Sequence, residues 1–112
     1  MMRNKYGNRK INHAGEVFDS KREFERFREL ELLVRAGVIH DLHRQVRFEL
    51  IPAQHEGKKC VERAVHYVAD FVYWEGDQMV VEDVKSRATR TESYIIKRKL
   101  MRQKGYIIRE VE

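Results

Sequence analysis

The chain has 112 residues, of which 42% are hydrophobic and 37% charged, and its net charge is +5. This length supplies one modest hydrophobic core and excludes a second large domain. The longest uninterrupted apolar run, residues 71–74, is far shorter than the ~20 residues of a transmembrane helix, and the N-terminus lacks the apolar segment of a signal peptide. We therefore expect a cytoplasmic protein that does not enter a membrane.

The first third of the chain predicts an arm followed by a helix. Residues 1–16 are polar and contain two glycines, and four of the first ten residues are basic. They predict a flexible basic arm in front of a single domain at residues 17–112. Apolar side chains at helical spacing then predict an amphipathic helix over residues 20–36, which Gly37 ends.

The middle of the chain predicts three strands. Alternating apolar residues predict a strand over residues 38–51, and the polar segment 53–59 predicts an exposed turn or loop. Two further apolar runs, residues 60–74 and 78–86, predict a pair of antiparallel strands. Gly76 lies between them and supplies the positive φ of a tight hairpin turn.

The C-terminal third predicts a second helix and a last strand. Thr89 and Glu92 have the spacing of a capping box for a helix over residues 91–104, which Gly105 ends. A short strand over residues 106–111 closes the chain. The predicted order is α-β-β-β-α-β, which indicates an α/β sandwich with a mixed sheet.

Basic residues are concentrated in the C-terminal third. Residues 85–109 contain nine basic residues and one acidic residue. A phosphate backbone is the commonest partner of such a surface, although a basic helix that only faces solvent fits the same pattern. The candidate DNA-binding residues are Arg87, Arg90, Lys97, Arg98, Arg102, Lys104 and, on an earlier strand, Gln45.

Charged residues interrupt both strands of the predicted hairpin. Asp70 lies in the middle of the first strand, and Glu82, Asp83 and Lys85 lie in the second. Because side chains alternate along a strand, Asp83 and Lys85 share one face, and Glu82 lies on the other. If the hairpin brings Asp70 opposite Asp83, two carboxylates and an ammonium group converge on one point.

Such a group of side chains predicts a metal site. Two close carboxylates repel each other unless a cation lies between them, and Mg²⁺ is the natural cation because it takes hard oxygen ligands. A metal held there activates water and offsets charge on a phosphate, with Lys85 orienting the water or stabilising the transition state. The alternative is an ion pair of Lys85 with Asp70 or Asp83 at the edge of the sheet, without chemistry.

Other residues give weaker signals. Alternation along the strand places Tyr67, Phe71 and Tyr73 on the face opposite Asp70, so they are expected in the core rather than at the site. The five histidines lack the spacing of a zinc site, and the single Cys60 forms no internal disulfide.

The hairpin residues resemble a known signature. Asp70, followed after twelve residues by Asp83-Val84-Lys85, resembles the PD-(D/E)XK signature of restriction-endonuclease-like nucleases, whose α-β-β-β-α-β core has the predicted order. Ala69 stands where a proline often precedes the aspartate. The chain also resembles a small phage-encoded family of that superfamily, in residues 18–37, 67–73, 80–86 and 91–100.

The resemblance implies roles for individual residues. It selects Asp83 rather than Glu82 as the metal ligand, together with Asp70, and it leaves Glu82 as a surface residue or an outer partner. A carboxylate from the first helix often joins such sites, which implies a metal or water-orienting role for Glu23. The alternative for Glu23 is a capping box with Ser20 at the start of the helix.

The resemblance also implies an activity. It indicates a Mg²⁺-dependent DNA endonuclease, with Mn²⁺ as a substitute, acting on branched DNA as Holliday-junction resolvases do in phage recombination or replication. Such a protein is expected in the host cytoplasm as a homodimer, because a four-way junction needs two symmetric cuts. The alternatives are a non-catalytic nucleic-acid-binding module on the same fold and a nuclease for single-stranded or nicked DNA.

Overall fold

The computed structural model of the protein describes residues 10–112. The elements in chain order are β1 (Ile11–His13), β2 (Glu16–Phe18), α1 (Lys21–Arg35), β3 (His40–Ile51), β4 (Gln54–Glu56), β5 (Lys59–Glu62), β6 (Val65–Glu75), β7 (Gln78–Val84), α2 (Glu92–Gln103) and β8 (Ile108–Val111). Omitting two short hairpins, β1-β2 and β4-β5, leaves α1-β3-β6-β7-α2-β8. This is the predicted α-β-β-β-α-β order.

A four-stranded mixed sheet forms the centre of the fold. Its strand order is β3-β6-β7-β8, with β3, β6 and β7 antiparallel and β8 parallel to β7. The β6-β7 hairpin turns at Gly76, whose φ is 64°. The strand pair that closes this turn is Glu75 and Gln78. These features confirm the predicted mixed α/β class and the predicted hairpin. None of the described helices is long and apolar enough to cross a membrane.

Each face of the sheet carries one helix and one hydrophobic cluster. The cluster under α1 contains Phe18, Phe27, Leu30, Ile39, Phe71, Tyr73 and Val80. The cluster under α2 contains Leu50, Tyr67, Ala69, Val72, Val81, Tyr94, Met101 and Ile108. Consecutive residues of β7, Val80 and Val81, lie in different clusters, as alternation along a strand requires.

Serine and threonine side chains cap the N-termini of the two helices. Ser20 Oγ accepts a hydrogen bond from the Glu23 N–H at 3.1 Å, and Thr91 Oγ1 accepts one from the Tyr94 N–H at 3.2 Å. The prediction of Thr89 as the cap of α2 was wrong by two residues. Thr89 Oγ1 instead accepts from the Ser86 N–H at 2.7 Å and closes the turn in front of the helix.

The short hairpins correct two predictions. Residues 11–18 form the β1-β2 hairpin, so the predicted arm at 1–16 does not extend over its last residues; the first nine lie outside the described residues. Residues 53–59 were predicted as a loop and 60–74 as one strand. Residues 54–62 instead form the β4-β5 hairpin, and β6 starts only at Val65.

Glu82 is fully buried and lies on the α1 side of the sheet. It is therefore neither the surface residue nor the outer partner of the site that was predicted. The Arg26 guanidinium donates two hydrogen bonds to its carboxylate at 2.7 and 2.8 Å, and the Tyr73 hydroxyl donates a third at 2.7 Å. Alternation along β7 turns Glu82 towards α1, and Arg26 offsets the cost of burying its charge. This ion pair fixes which face of the sheet Asp83 occupies.

We predict that removing either side of this ion pair destabilises the fold strongly. Glu82→Ala removes the buried partner of Arg26, which keeps only the half-exposed Glu29 at 3.2 Å, and should lower the free energy of unfolding by about 3–5 kcal/mol. The measurement is urea unfolding followed by circular dichroism. Arg28→Ala is the matched control, because Arg28 is 55% exposed and pairs with Glu31 at 3.7 Å; it should cost at most about 1 kcal/mol. Equal losses in the two variants would contradict the prediction.

Candidate active site

The β6-β7 pairing places two carboxylates opposite each other. Phe71 and Glu82 are aligned partners, so one step further along the ladder Asp70 faces Asp83. The Asp70 N–H donates to Asp83 Oδ1 at 3.3 Å, and the Val84 N–H donates to Asp70 Oδ2 at 2.9 Å. The structure therefore brings together the two aspartates, hereafter the acidic pair, as the alternation predicted.

Asp83 is buried, and Asp70 beside it is partly buried and has no cationic neighbour among the described residues. Asp83 is only 2% exposed. Burial raises the pKa of Asp70 far above its ordinary value of 3.8, and the hydrogen bond and negative charge of Asp83 and the charge of Glu23 raise it further. Within residues 10–112 Asp70 has no cationic side chain in ion-pair contact. If both aspartates are ionised, only Asp83 has a cationic partner, Lys85.

Lys85 compensates Asp83. Its Nζ lies 3.2 Å from Asp83 Oδ2 and 4.4 Å from the centre of the Tyr94 ring. The Tyr94 hydroxyl donates to Glu110 Oε2 at 2.6 Å, which fixes the ring beneath the ammonium group. The contact between Asp83 and Lys85 agrees with a purely structural ion pair. Asp70 is not part of that ion pair: it lies partly buried beside a second carboxylate and has no cationic partner within residues 10–112.

Glu23 both begins α1 and reaches towards the site. Its N–H bonds to Ser20, while its carboxylate, on a residue 3% exposed, accepts from Gln45 Nε2 at 3.1 Å and Arg44 Nη2 at 3.3 Å. Burial, followed by the charge of Asp19, raises the pKa of Glu23. Only half of the predicted capping box forms among the described residues: Ser20 accepts from the Glu23 N–H, whereas the Glu23 carboxylate bonds to Gln45 and Arg44.

Strand alternation is interrupted where β3 and β6 pass the site. In β6, Phe71 packs under α1 whereas Ala69, two residues earlier, packs under α2. In β3 the corresponding point is Gln45, whose φ of 52° lies in the left-handed region that non-glycine residues seldom adopt. Strained backbone of this kind persists only where surrounding contacts hold it, and it is often found at functional sites.

The interruption corrects the prediction for Tyr67. Alternation placed it opposite the face of Asp70, but Tyr67 belongs to the cluster under α2 and lines the same cavity as Asp70 and Asp83. The residue types of β3 and β6 carry no signal for this change of face. A left-handed glutamine within a strand is visible only in the folded backbone.

A cavity of about 360 Å³ opens at the acidic pair. Asp70, Asp83 and Lys85 line it together with Ser93 and Lys97 of α2. The cavity thus presents both negative and positive charge.

The predicted DNA-binding residues separate into three groups. Gln45 and Lys97 line the cavity. Arg90 and Arg98 are held by Glu110, with nitrogen–oxygen distances of 3.1 and 2.8 Å, so neither guanidinium is fully available to another anion. The exposed residues are Arg87, Arg102 and Lys104.

The acidic pair fits Mg²⁺ by its chemistry. Mg²⁺ is usually bound by one or two carboxylates and keeps several waters, and two adjacent carboxylates that have only Lys85 as a cationic partner supply such ligands. Among the described residues no group of three or more His, Cys, Asp or Glu side chains is arranged to hold a metal ion. Glu23 is thus not brought into a three-carboxylate group with Asp70 and Asp83, and its carboxylate bonds to Arg44 and Gln45 instead.

A family model described as "Protein of unknown function (DUF1064)" matches residues 3–112. The chain belongs to the DUF1064 family. No curated protein and no solved structure matches the DUF1064 chain. The match extends over both helices and all four strands of the central sheet, so the site belongs to the family domain.

We predict that Asp70 makes the stability of the metal-free protein fall as the pH rises. Its pKa is higher in the folded protein than in the unfolded chain, so the folded protein binds more protons and loses stability as the pH rises above about 4. Asp70→Asn has no titrating group there and should lose this fall. Urea unfolding in EDTA between about pH 5 and about pH 8 measures it.

Asp77→Asn provides the control for this experiment, because Asp77 is exposed in the β6-β7 turn. It should keep the slope of the wild-type protein. An Asp70→Asn variant with the wild-type slope would contradict a raised pKa at Asp70.

Proposed function

We propose that this DUF1064 protein is a Mg²⁺-dependent DNA endonuclease with a restriction-endonuclease-like core. The observation that carries the proposal is the acidic pair, the partly buried Asp70 beside the buried Asp83, with Lys85 in contact with Asp83. A surface that only binds phosphate gains nothing from two adjacent carboxylates, which repel the ligand. This argues against the non-catalytic binding module.

The fold supports the proposal through the place where the residues lie. In the order α1-β3-β6-β7-α2-β8, Asp70 lies in the second strand, and Asp83 and Lys85 lie at the end of the third. This is where the PD-(D/E)XK signature has its residues on its α-β-β-β-α-β core. Fold-level likeness is analogy, so the function still depends on the chemistry of the site.

Asp70 and Asp83 would hold the metal ion. When bound, Mg²⁺ supplies a Lewis acid that activates a water and offsets negative charge on a phosphate. The raised pKa of Asp70 means that its ionisation is unfavourable in the metal-free protein. An added positive charge favours that ionisation. Metal affinity and activity should therefore rise with pH.

Lys85 acts on the substrate side of the pair. Its ammonium group is held between Asp83 and the Tyr94 ring, with donors left for a water or for a phosphate oxygen. As water adds to phosphorus and the bond to one sugar oxygen breaks, negative charge develops on the phosphoryl oxygens. A fixed ammonium beside them stabilises that charge. Gln45 lines the cavity and would orient a water or a phosphate oxygen there, with its amide held by Glu23.

Branched DNA is the proposed substrate. A domain of this size with one acidic pair makes one cut per chain, and a two-fold dimer would supply the two cuts that a four-way junction requires. Single-stranded or nicked DNA is the alternative substrate, and the same cleavage panel separates the two. Mn²⁺ should replace Mg²⁺ because both accept carboxylate ligands.

We predict that the three signature residues are needed for cleavage in different ways. Asp83→Ala and Asp70→Ala should abolish cleavage while DNA binding is kept or improved, because a repulsion towards phosphate is removed with the metal ligand. Lys85→Ala should keep metal binding and lose about 10²–10³-fold in rate. The measurement is cleavage of labelled single-stranded, duplex, flap and four-way-junction DNA with Mg²⁺, Mn²⁺ or EDTA.

Glu82→Gln tests the choice between the adjacent carboxylates, since it keeps the size of Glu82 and one acceptor oxygen for Arg26. If it folds and cleaves while Asp83→Asn does not, the assignment stands. Cleavage by Asp83→Asn together with an inactive, folded Glu82→Gln would contradict it.

We further predict that cavity-lining and paired basic residues differ in their salt dependence. Lys97→Ala should flatten the slope of log affinity against log salt by about 0.9, the contribution of one phosphate on B-DNA. Arg98→Ala should change it less, because Arg98 is already bound to Glu110. Fluorescence anisotropy in EDTA at several salt concentrations measures the slopes. Equal changes of the slope in the two variants would indicate that α2 is only a solvated basic helix.

A further inference from the structure

A second cavity, of about 370 Å³, lies where α2 ends and β8 begins, and we name it the α2-β8 cavity. Its cationic side chains all come from α2: Arg98, Lys99 and Arg102. Its apolar surface comes from the residues that follow the helix: Tyr106, Ile107 and Ile108. Among the described residues it shares no lining residue with the cavity at the acidic pair, so the two are separate.

The α2-β8 cavity has an excess of positive charge. Glu110 is the one acidic residue that lines it, and Arg98 Nη1 donates to that carboxylate at 2.8 Å. Lys99 and Arg102 are exposed, and neither forms an ion pair within the described part of the chain. Two cationic groups therefore stay available to an anionic ligand.

Ile107, at the border of this cavity, is 68% exposed, more than any other large hydrophobic side chain of residues 10–112. Its position is fixed by the end of the helix: Gly105 has a φ of 95°, and the Tyr106 N–H donates to the Met101 carbonyl at 3.0 Å. The next residue, Ile108, is 8% exposed and belongs to the cluster under α2. The hydrophobic core thus uses Ile108 and leaves Ile107 at the surface.

An isolated exposed isoleucine is ordinary, but an isoleucine beside unpaired cations at a cavity matches a particular ligand. Nucleic acid strands combine charged phosphates with the apolar faces of their bases. Proteins that bind single strands hold the phosphates with cations and contact the bases with aromatic side chains, and isoleucine is among the residues that others insert against bases. A run of acidic side chains would match the charge of the cavity alone.

We infer that the α2-β8 cavity binds an unpaired base and the adjoining phosphates of single-stranded DNA. Ile107 contacts the base, and Lys99 and Arg102 contact the phosphates. That the strand is DNA rests on the proposed function, whereas the contact with a base does not depend on cleavage. Flaps and open branch points expose such bases, while a continuous duplex must first unstack them. The cavity would therefore favour branched or single-stranded DNA over duplex.

Contact with a base is tested on the full chain in EDTA, so that no metal-dependent cleavage occurs. With ¹³C-labelled isoleucine methyl groups, an oligothymidylate should shift the Ile107 Cδ1 resonance saturably, because the ring current of a nearby base acts on it. An abasic strand of equal length carries the same phosphates and should shift it much less. Equal shifts with both strands, or no shift with either, would overturn the inference. Equal shifts with a glutamate oligomer would overturn it in favour of an acidic protein partner.

Two isoleucine variants separate the cavity from the rest of α2. Ile107→Ser should weaken binding of the oligothymidylate about fivefold in fluorescence anisotropy and leave binding of the abasic strand unchanged. Ile96→Ser is the matched control, because Ile96 is 52% exposed on the same helix and does not line this cavity. It should keep the wild-type affinity, and equal losses in the two variants would contradict the inference.

Arg102→Gln should weaken binding of both strands and flatten the slope of log affinity against log salt by about 0.7, the contribution of one phosphate on a single strand. An unchanged slope would remove Arg102 from the site. A shifted Ile107 resonance in a protein that cleaves no DNA would support the α2-β8 cavity and overturn the nuclease. Cleavage of DNA with an unshifted Ile107 resonance would overturn the cavity alone.

Discussion

Two consecutive buried carboxylates on β7 constrain the whole structure. Glu82 and Asp83 are 0% and 2% exposed, and alternation turns them to opposite faces of the sheet. Each burial requires positive charge, because an unpaired buried charge costs several kcal/mol. On the α1 face Arg26 supplies it through a two-bond ion pair. On the α2 face Lys85 pairs with Asp83, while Asp70 adds a second acid without a second cation.

This asymmetry separates a structural ion pair from a binding site. Glu82 and Arg26 satisfy each other, and the Tyr73 hydroxyl completes the carboxylate's hydrogen bonds. The acidic pair satisfies itself only by retaining a proton, which is the physical meaning of the raised pKa of Asp70. Under the proposed function, an incoming cation would replace that proton. The same β-strand residue types thus stabilise the fold on one face and prepare a site on the other.

Much of this arrangement follows from the sequence because it depends on short-range rules. Helical spacing located α1. A capping signal, two residues before the actual cap, and Gly105 located α2. The glycine at 76 located the hairpin, and alternation in β7 separated Glu82 from Asp83. The partner of Glu82 did not follow, since Arg26 is distant in sequence and any of several arginines in α1 fitted the pattern equally. The change of face at Gln45 and Asp70 also did not follow, because it depends on a left-handed backbone that favours glycine. For that reason the sequence-based prediction placed Tyr67 on the wrong face of the sheet.

The central claim is that Asp70 and Asp83 bind one divalent cation between them. The most direct measurement is the anomalous scattering of Mn²⁺ from crystals of the wild-type protein and of Asp70→Asn. The account predicts a manganese peak in contact with both carboxylates in the wild-type protein and no peak there in Asp70→Asn. Manganese bound elsewhere with the acidic pair still empty, or an equal peak in Asp70→Asn, would contradict it.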